Sequence, residues 1–88
     1  MKTLYSKKSL KDLSIIPKNE RTIIEVFAFE TLMKYNSTAG IGKMEKLKGY
    51  QNFYKVRFGN YRLGLKLEGE ILILERVLHR KDIYRYFP

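Results

Sequence analysis

An α+β fold, with two N-terminal helices packed on one face of a small antiparallel sheet, is what this sequence predicts. Three observations carry the prediction. Residues 17–35 (PKNERTIIEVFAFETLMKY) repeat their apolar positions every three to four residues, the period of a helix with one buried side. From Phe53 onward the period drops to two, the period of a strand. The helical segments all precede the main strand run, which separates the two kinds of element into layers instead of alternating them.

Each element has its own local reason. Leu4 and Tyr5 close a short first strand, and Ser6 is placed to cap a helix running to Leu13, with Leu10 and Leu13 inward. Ser14 to Ile16 breaks that helix, and Pro17 suits the first turn of the next. There Ile23 and Phe27 share one row, Ile24, Ala28 and Thr31 a second, and Val26, Phe29 and Met33 a third. So wide a stripe fits a helix lying across a sheet, and Phe27 and Phe29 are read as core. Asn36 to Gly42 (NSTAGIG) is a loop by composition. GIGK within it is not a phosphate-binding loop: Ser37 stands where the leading Gly is required, and Met44 where Ser or Thr must follow the Lys.

The strand run begins with FYKVRFGNYRLG. Phe53, Lys55 and Arg57 point one way, and Tyr54, Val56 and Phe58 the other. Gly59-Asn60 is a two-residue hairpin signal, Gly first suiting a type II′ turn. On the return, Tyr61, Leu63, Leu65 and Leu67 share one face, and Arg62, Gly64 and Lys66 the other. A second turn at Glu68-Gly69-Glu70 leads into ILILERVL, Ile71 to Leu78, whose near-continuous apolarity predicts a central strand. Which of its residues face inward depends on the length of that turn. The tail HRKDIYRYFP is basic and aromatic.

Length and composition bound the function. Eighty-eight residues make one domain, 1–88, with a modest core. The absence of cysteine removes disulfides, thiolate nucleophiles and cysteine-ligated zinc. No apolar run approaches the roughly 18 residues of a membrane span, and MKTLYSKKSLKDL lacks the apolar region of a secretory signal, so a cytoplasmic protein without membrane contact is expected. Eighteen Lys and Arg against nine Asp and Glu give +9, an imbalance that points to an anionic partner. From Lys43 to Lys66 seven cations face a single acid, Glu45; a surface charged only for solubility would intermix the signs.

A two-residue loop at 59–60 pairs Phe58 with Tyr61, Arg57 with Arg62, Val56 with Leu63, and Lys55 with Gly64. Apolar partners then meet on one face, while on the other Arg57 and Arg62 become direct neighbours with Lys55 two residues along. Like charges placed so destabilise a strand pair unless solvent screens them or an anion lies between them. Gly64 offers no side chain opposite Lys55 and is read as an open floor beside the cations. Tyr50, Tyr54, Tyr61, Tyr84 and Tyr86 are close in sequence to this patch. Clustered cations, open space and aromatic rings together suit a phosphodiester with adjacent bases.

KLKG (Lys46 to Gly49), FYKVRFGNYRLG, the acidic turn with its apolar strand, and HRKDIYR (His79 to Arg85) resemble, in order and spacing, the RelE/ParE superfamily of toxin–antitoxin toxins. The resemblance covers the C-terminal half and implies a compact RelE-like α+β toxin. The superfamily has two branches: RelE-type members cleave mRNA in the ribosomal A site, whereas ParE-type members poison DNA gyrase without nuclease chemistry. The RelE-like branch is the one these motifs favour, and it implies 2′-OH attack on the adjacent phosphate, leaving a cyclic phosphate and a 5′-OH. The resemblance also implies a monomeric toxin held by a cognate antitoxin encoded beside it. A third reading, a basic binding module with degenerate chemistry, completes the set.

The family's two basic residues on the first hairpin strand fall on Lys55 and Arg57, its hairpin arginine on Arg62, and the basic residue ending the last strand on Arg80. Its C-terminal tyrosine falls on Tyr84, with Tyr86 the alternative. Phosphoryl transfer asks mainly for positioning and for charge at the equatorial oxygens, which arginine supplies by gripping two oxygens at once. Arg62 and Arg80 are therefore expected to stabilise the transition state, with Arg57 assisting. Lys55 or a tyrosinate would accept the 2′-OH proton, and His79, the only histidine, is a candidate general acid for the leaving oxygen. Lys46, Lys48, Lys81, Arg85 and Tyr86 are expected to add RNA contacts. No residue set resembles a metal site, and no cofactor is expected.

Overall fold

The computed structural model describes all 88 residues, Met1–Pro88. Strand β1 (Lys2–Tyr5) leads into helix α1 (Lys7–Ser14) and then α2 (Lys18–Val26). The second helix continues through a wide π turn (Phe27–Thr31) and a tight 3-10 turn (Leu32–Lys34). After a loop come β2 (Glu45–Lys46), β3 (Phe53–Phe58), β4 (Tyr61–Glu68), β5 (Ile71–His79) and the short helix α3 (Ile83–Tyr86). The five strands form one sheet in the order β1-β5-β4-β3-β2. The α+β class holds, with one refinement: β1 pairs with β5 in parallel, so the sheet is mixed rather than wholly antiparallel. Strand β5 is interior as expected, but β4 is the middle strand.

Local chemistry accounts for the elements. Ser6 caps α1 as predicted, its Oγ accepting from the Ser9 N–H at 3.0 Å. Leu13 is buried, but Leu10 is exposed; Ser9 and Asp12 take the inward positions beside Leu13 instead. Pro17 sits at the N-cap of α2, one residue before the expected first turn. Along the second helix Ile24, Phe27, Ala28 and Leu32 are buried while Ile23, Val26 and Met33 are exposed, a narrower stripe than the row count predicts. The Tyr5 hydroxyl donates to the Ala28 carbonyl at 2.9 Å, which ties β1 to the π turn.

The hairpin register is the predicted one throughout, from Phe58 opposite Tyr61 to Lys55 opposite Gly64. Gly59 has φ +55° and Asn60 is not in the positive region, as a Gly-first tight turn requires. Between β4 and β5 the register slips at Gly64/Leu65: Gly64 faces Arg76 and Leu65 faces Leu74, leaving Glu75 as an extra residue. This bulge explains how Leu72, Leu74 and Val77 all enter one core although strict alternation would separate Leu74 from Val77. That core joins Leu13, Ile16, Ile24, Phe27, Ala28 and Leu32 of the helical segments to Val56, Leu63 and Leu65 of the hairpin. Each of these side chains larger than Ala28 contributes on the order of 1.5–3 kcal/mol by leaving water.

Where β1 ends, α1 takes over the edge of β5. Asp12 accepts from Arg76 at 2.8 and 3.1 Å and from the Val77 backbone N–H at 3.0 Å, so its carboxylate stands in for a neighbouring strand. A second, smaller cluster of Leu47, Ile83 and Phe87 gathers Phe53 and Leu78. Here the expectation of an open floor fails. A Cβ on Gly64 would lie 2.7 Å from the Phe87 ring, so the glycine leaves room for an aromatic plug from the chain's own tail.

Candidate RNA-binding and cleavage site

Alternation along β3 and the tight turn at Gly59-Asn60 bring Lys55, Arg57 and Arg62 to one side of the hairpin, with Arg57 and Arg62 directly opposed. The turn after β5 is joined to the hairpin tip by the Arg80 N–H, which donates to the Asn60 carbonyl at 2.7 Å, and is closed on itself by the Asp82 N–H, which donates to the His79 carbonyl at 2.8 Å. Buried Ile83 then anchors α3, and the next residue, Tyr84, stands exposed over the strands. The outcome is an open concavity of about 500 Å³ lined by Lys55, Arg57, Arg62, Arg80, Lys81 and Tyr84. Five of the six residues expected to carry the chemistry share this one surface; His79 does not.

Lys55 Nζ donates to the Tyr84 hydroxyl at 2.6 Å and lies 5.2 Å from its ring centroid. Arg62 Nη1 is turned back onto the hairpin, donating to the Gly59 and Tyr61 carbonyls at 2.7 and 3.0 Å. Arg57 donates through Nε and Nη2 to the two carboxylate oxygens of Glu45, at 2.7 and 2.8 Å. These hydrogen bonds hold the Glu45 carboxyl below the usual glutamate range, helped by the charges of Arg57, Lys55 and Arg62. They also raise the already high value of Arg57.

The remaining predicted residues lie outside this concavity. His79 accepts a hydrogen bond at Nδ1 from the Lys81 N–H at 3.1 Å, and its ring meets Tyr61 edge-on at 5.8 Å between centroids. Lys46 on β2, Lys48 beyond it and Arg85 on α3 are exposed, and none lines the concavity. Tyr86 belongs to another cavity of about 300 Å³, with Arg76 5.6 Å from its ring centroid. Of the two C-terminal tyrosines, Tyr84 is the one beside the basic strands. Glu45 is what the sequence reading missed as a site residue. Its signal was its isolation: it is the only acid between Glu30 and Glu68.

With this geometry in place, comparison with known proteins defines the class. Residues 4–84 match the family described as the ParE toxin of type II toxin–antitoxin systems, parDE. The chain belongs to the RelE/ParE superfamily of type II toxin–antitoxin toxins. It is 43% identical to Toxin RelE3 of Methanocaldococcus jannaschii, with each chain covered in full. The toxin of a RelB-RelE antitoxin–toxin complex from Methanococcus jannaschii superposes with a TM-score of 0.80 at 41% identity, covering 97% of this chain and 99% of that one. Isolated RelE of E. coli shares the fold, with a TM-score of 0.68 at 20% identity over 96% and 90% of the two chains. Within the superfamily this is a RelE-like toxin. No helix is long and apolar enough to cross a membrane.

Proposed function

We propose that this toxin is a ribosome-dependent endoribonuclease that cleaves mRNA in the A site by 2′-OH attack and so inhibits translation. The observation that carries the reading is the shared concavity, where Lys55, Arg57, Arg62, Arg80, Lys81 and Tyr84 surround a space open to solvent. Arg62 and Arg80 supply charge to the equatorial phosphate oxygens as the transition state forms. The Lys55–Tyr84 pair, joined at 2.6 Å, is assigned the acceptance of the 2′-OH proton. The guanidinium groups supply the cationic charge in this scheme, so it calls for no metal. By the same reading a RelB-type antitoxin holds the toxin inactive, a role supported by the antitoxin–toxin complex that the similar archaeal RelE forms with RelB.

Induced expression followed by mapping of mRNA 5′ ends tests the proposal. Codon-phased cuts in translated messages are the expected result. Arg62→Ala is expected to lower cleavage by about 10²–10³-fold, the scale set by removing one group that stabilises transition-state charge. Intact messages together with trapped gyrase–DNA complexes would replace this reading with that of a gyrase poison. Full cleavage by Lys55→Ala, alongside loss in Arg62→Ala, would reduce Lys55 to a binding residue.

A further inference from the structure

Glu45 looks out of place. It sits on a two-residue edge strand directly opposite Lys55, amid cations a phosphate would need. A carboxylate there offsets part of the attraction for RNA. The side chains of the pair are 58% and 40% exposed for Arg57 and Glu45, and ion pairs this open to water contribute little to stability. Neither substrate attraction nor folding therefore accounts for it.

Geometry offers another role. A guanidinium has five N–H donors in a rigid plane. Glu45 engages Nε and Nη2 along one edge, fixing that plane with two parallel bonds. Nη1 has no hydrogen-bond partner within the protein, so its two N–H groups and the second on Nη2 remain for a ligand. Arg57 itself lines the concavity, while Glu45 does not.

We propose that Glu45 is a positioning residue: it holds the Arg57 guanidinium in one orientation, so that the free donors meet the scissile phosphate without first being ordered. The inference rests on the nuclease reading above and deepens it. Rates are sensitive to such pre-ordering because an arginine that must find its geometry during the reaction loses part of its effect on the transition state.

The test is single-turnover cleavage of a message on stalled ribosomes, comparing wild type with Glu45→Gln at saturating and subsaturating toxin. Thermal melting establishes that the variant is folded. Glu45→Gln keeps the side chain's size and removes a negative charge. A positioning role predicts that the saturated rate falls about tenfold, while the half-saturating toxin concentration stays within about twofold or drops. In an Arg57→Lys background, where no planar fork remains to be held, Glu45→Gln is expected to change the rate by less than about twofold. A folded Glu45→Gln toxin cleaving at the wild-type rate or faster overturns the inference and leaves the nuclease reading standing. An undiminished effect in the Arg57→Lys background also overturns it. Wild-type toxin that leaves the message whole overturns both readings.

Discussion

Lys55, Arg57 and Arg62 are three cations with three different fates. Lys55 is turned to a tyrosine hydroxyl, Arg57 to a carboxylate and Arg62 to two backbone carbonyls. Their mutual repulsion is thus relieved by separate local partners, a feature invisible in the strand arithmetic that places them together. Glu45 gives this scale a titration with a defined sign. Its folded value lies below the ordinary glutamate range because Arg57 hydrogen-bonds the carboxylate. The pair therefore contributes whatever stability it has above the unfolded glutamate value, and that contribution is lost as pH falls through the lowered one. A carbon-detected NMR titration is expected to give Glu45 a midpoint below the ordinary glutamate range, and Arg57→Ala is expected to return it upward. An unshifted Glu45 midpoint in the wild type would contradict the bidentate pair.

At the scale of elements, the hairpin was legible and the bulge was not. Gly59-Asn60 fixes its own register because only one pairing puts Val56 opposite Leu63. ILILERVL holds apolar residues on both parities, so nothing local says that Glu75 is looped out. The failure at Gly64 has a similar cause: a missing side chain looks the same in sequence whether solvent or a distant ring fills the gap. Gly64→Ala is expected to push Phe87 from its seat, costing about 1–3 kcal/mol and lowering Tm. The same substitution in a Phe87→Ala background is expected to cost less, as measured by denaturant unfolding. Asp12→Ala strips Arg76 and the Val77 N–H of their partner at the β5 edge. It is expected to cost about 2–3 kcal/mol in the same unfolding measurement, below the fully buried case because Arg76 reaches solvent.

The whole molecule carries +9, and its distribution decides how that charge acts. Five cations line the concavity, and Glu45 beside them offsets one. Single-stranded nucleic acid releases about 0.7 counterion per phosphate neutralised, so the expected slope of log K against log salt is about −3. Fluorescence anisotropy with a short single-stranded RNA checks this, and a slope near zero would remove the concavity as a phosphate-binding surface. The α+β class and the clustering of cations on the hairpin were readable from period and charge. The resemblance favoured Tyr84 over Tyr86, but the reason only Tyr84 lines the concavity, the seating of the last helix through buried Ile83, was not readable.

Phe87 settles over Gly64 after every strand of the sheet has been laid down, and the short helix bearing Tyr84 leads directly into it. A nascent chain synthesised only as far as the hairpin has the basic strands but neither the tyrosine nor the ring that finishes the fold around them. Such a chain carries Lys55, Arg57 and Arg62 but lacks Arg80, Lys81 and Tyr84, the half of the concavity's lining that the last strand and helix bring to it.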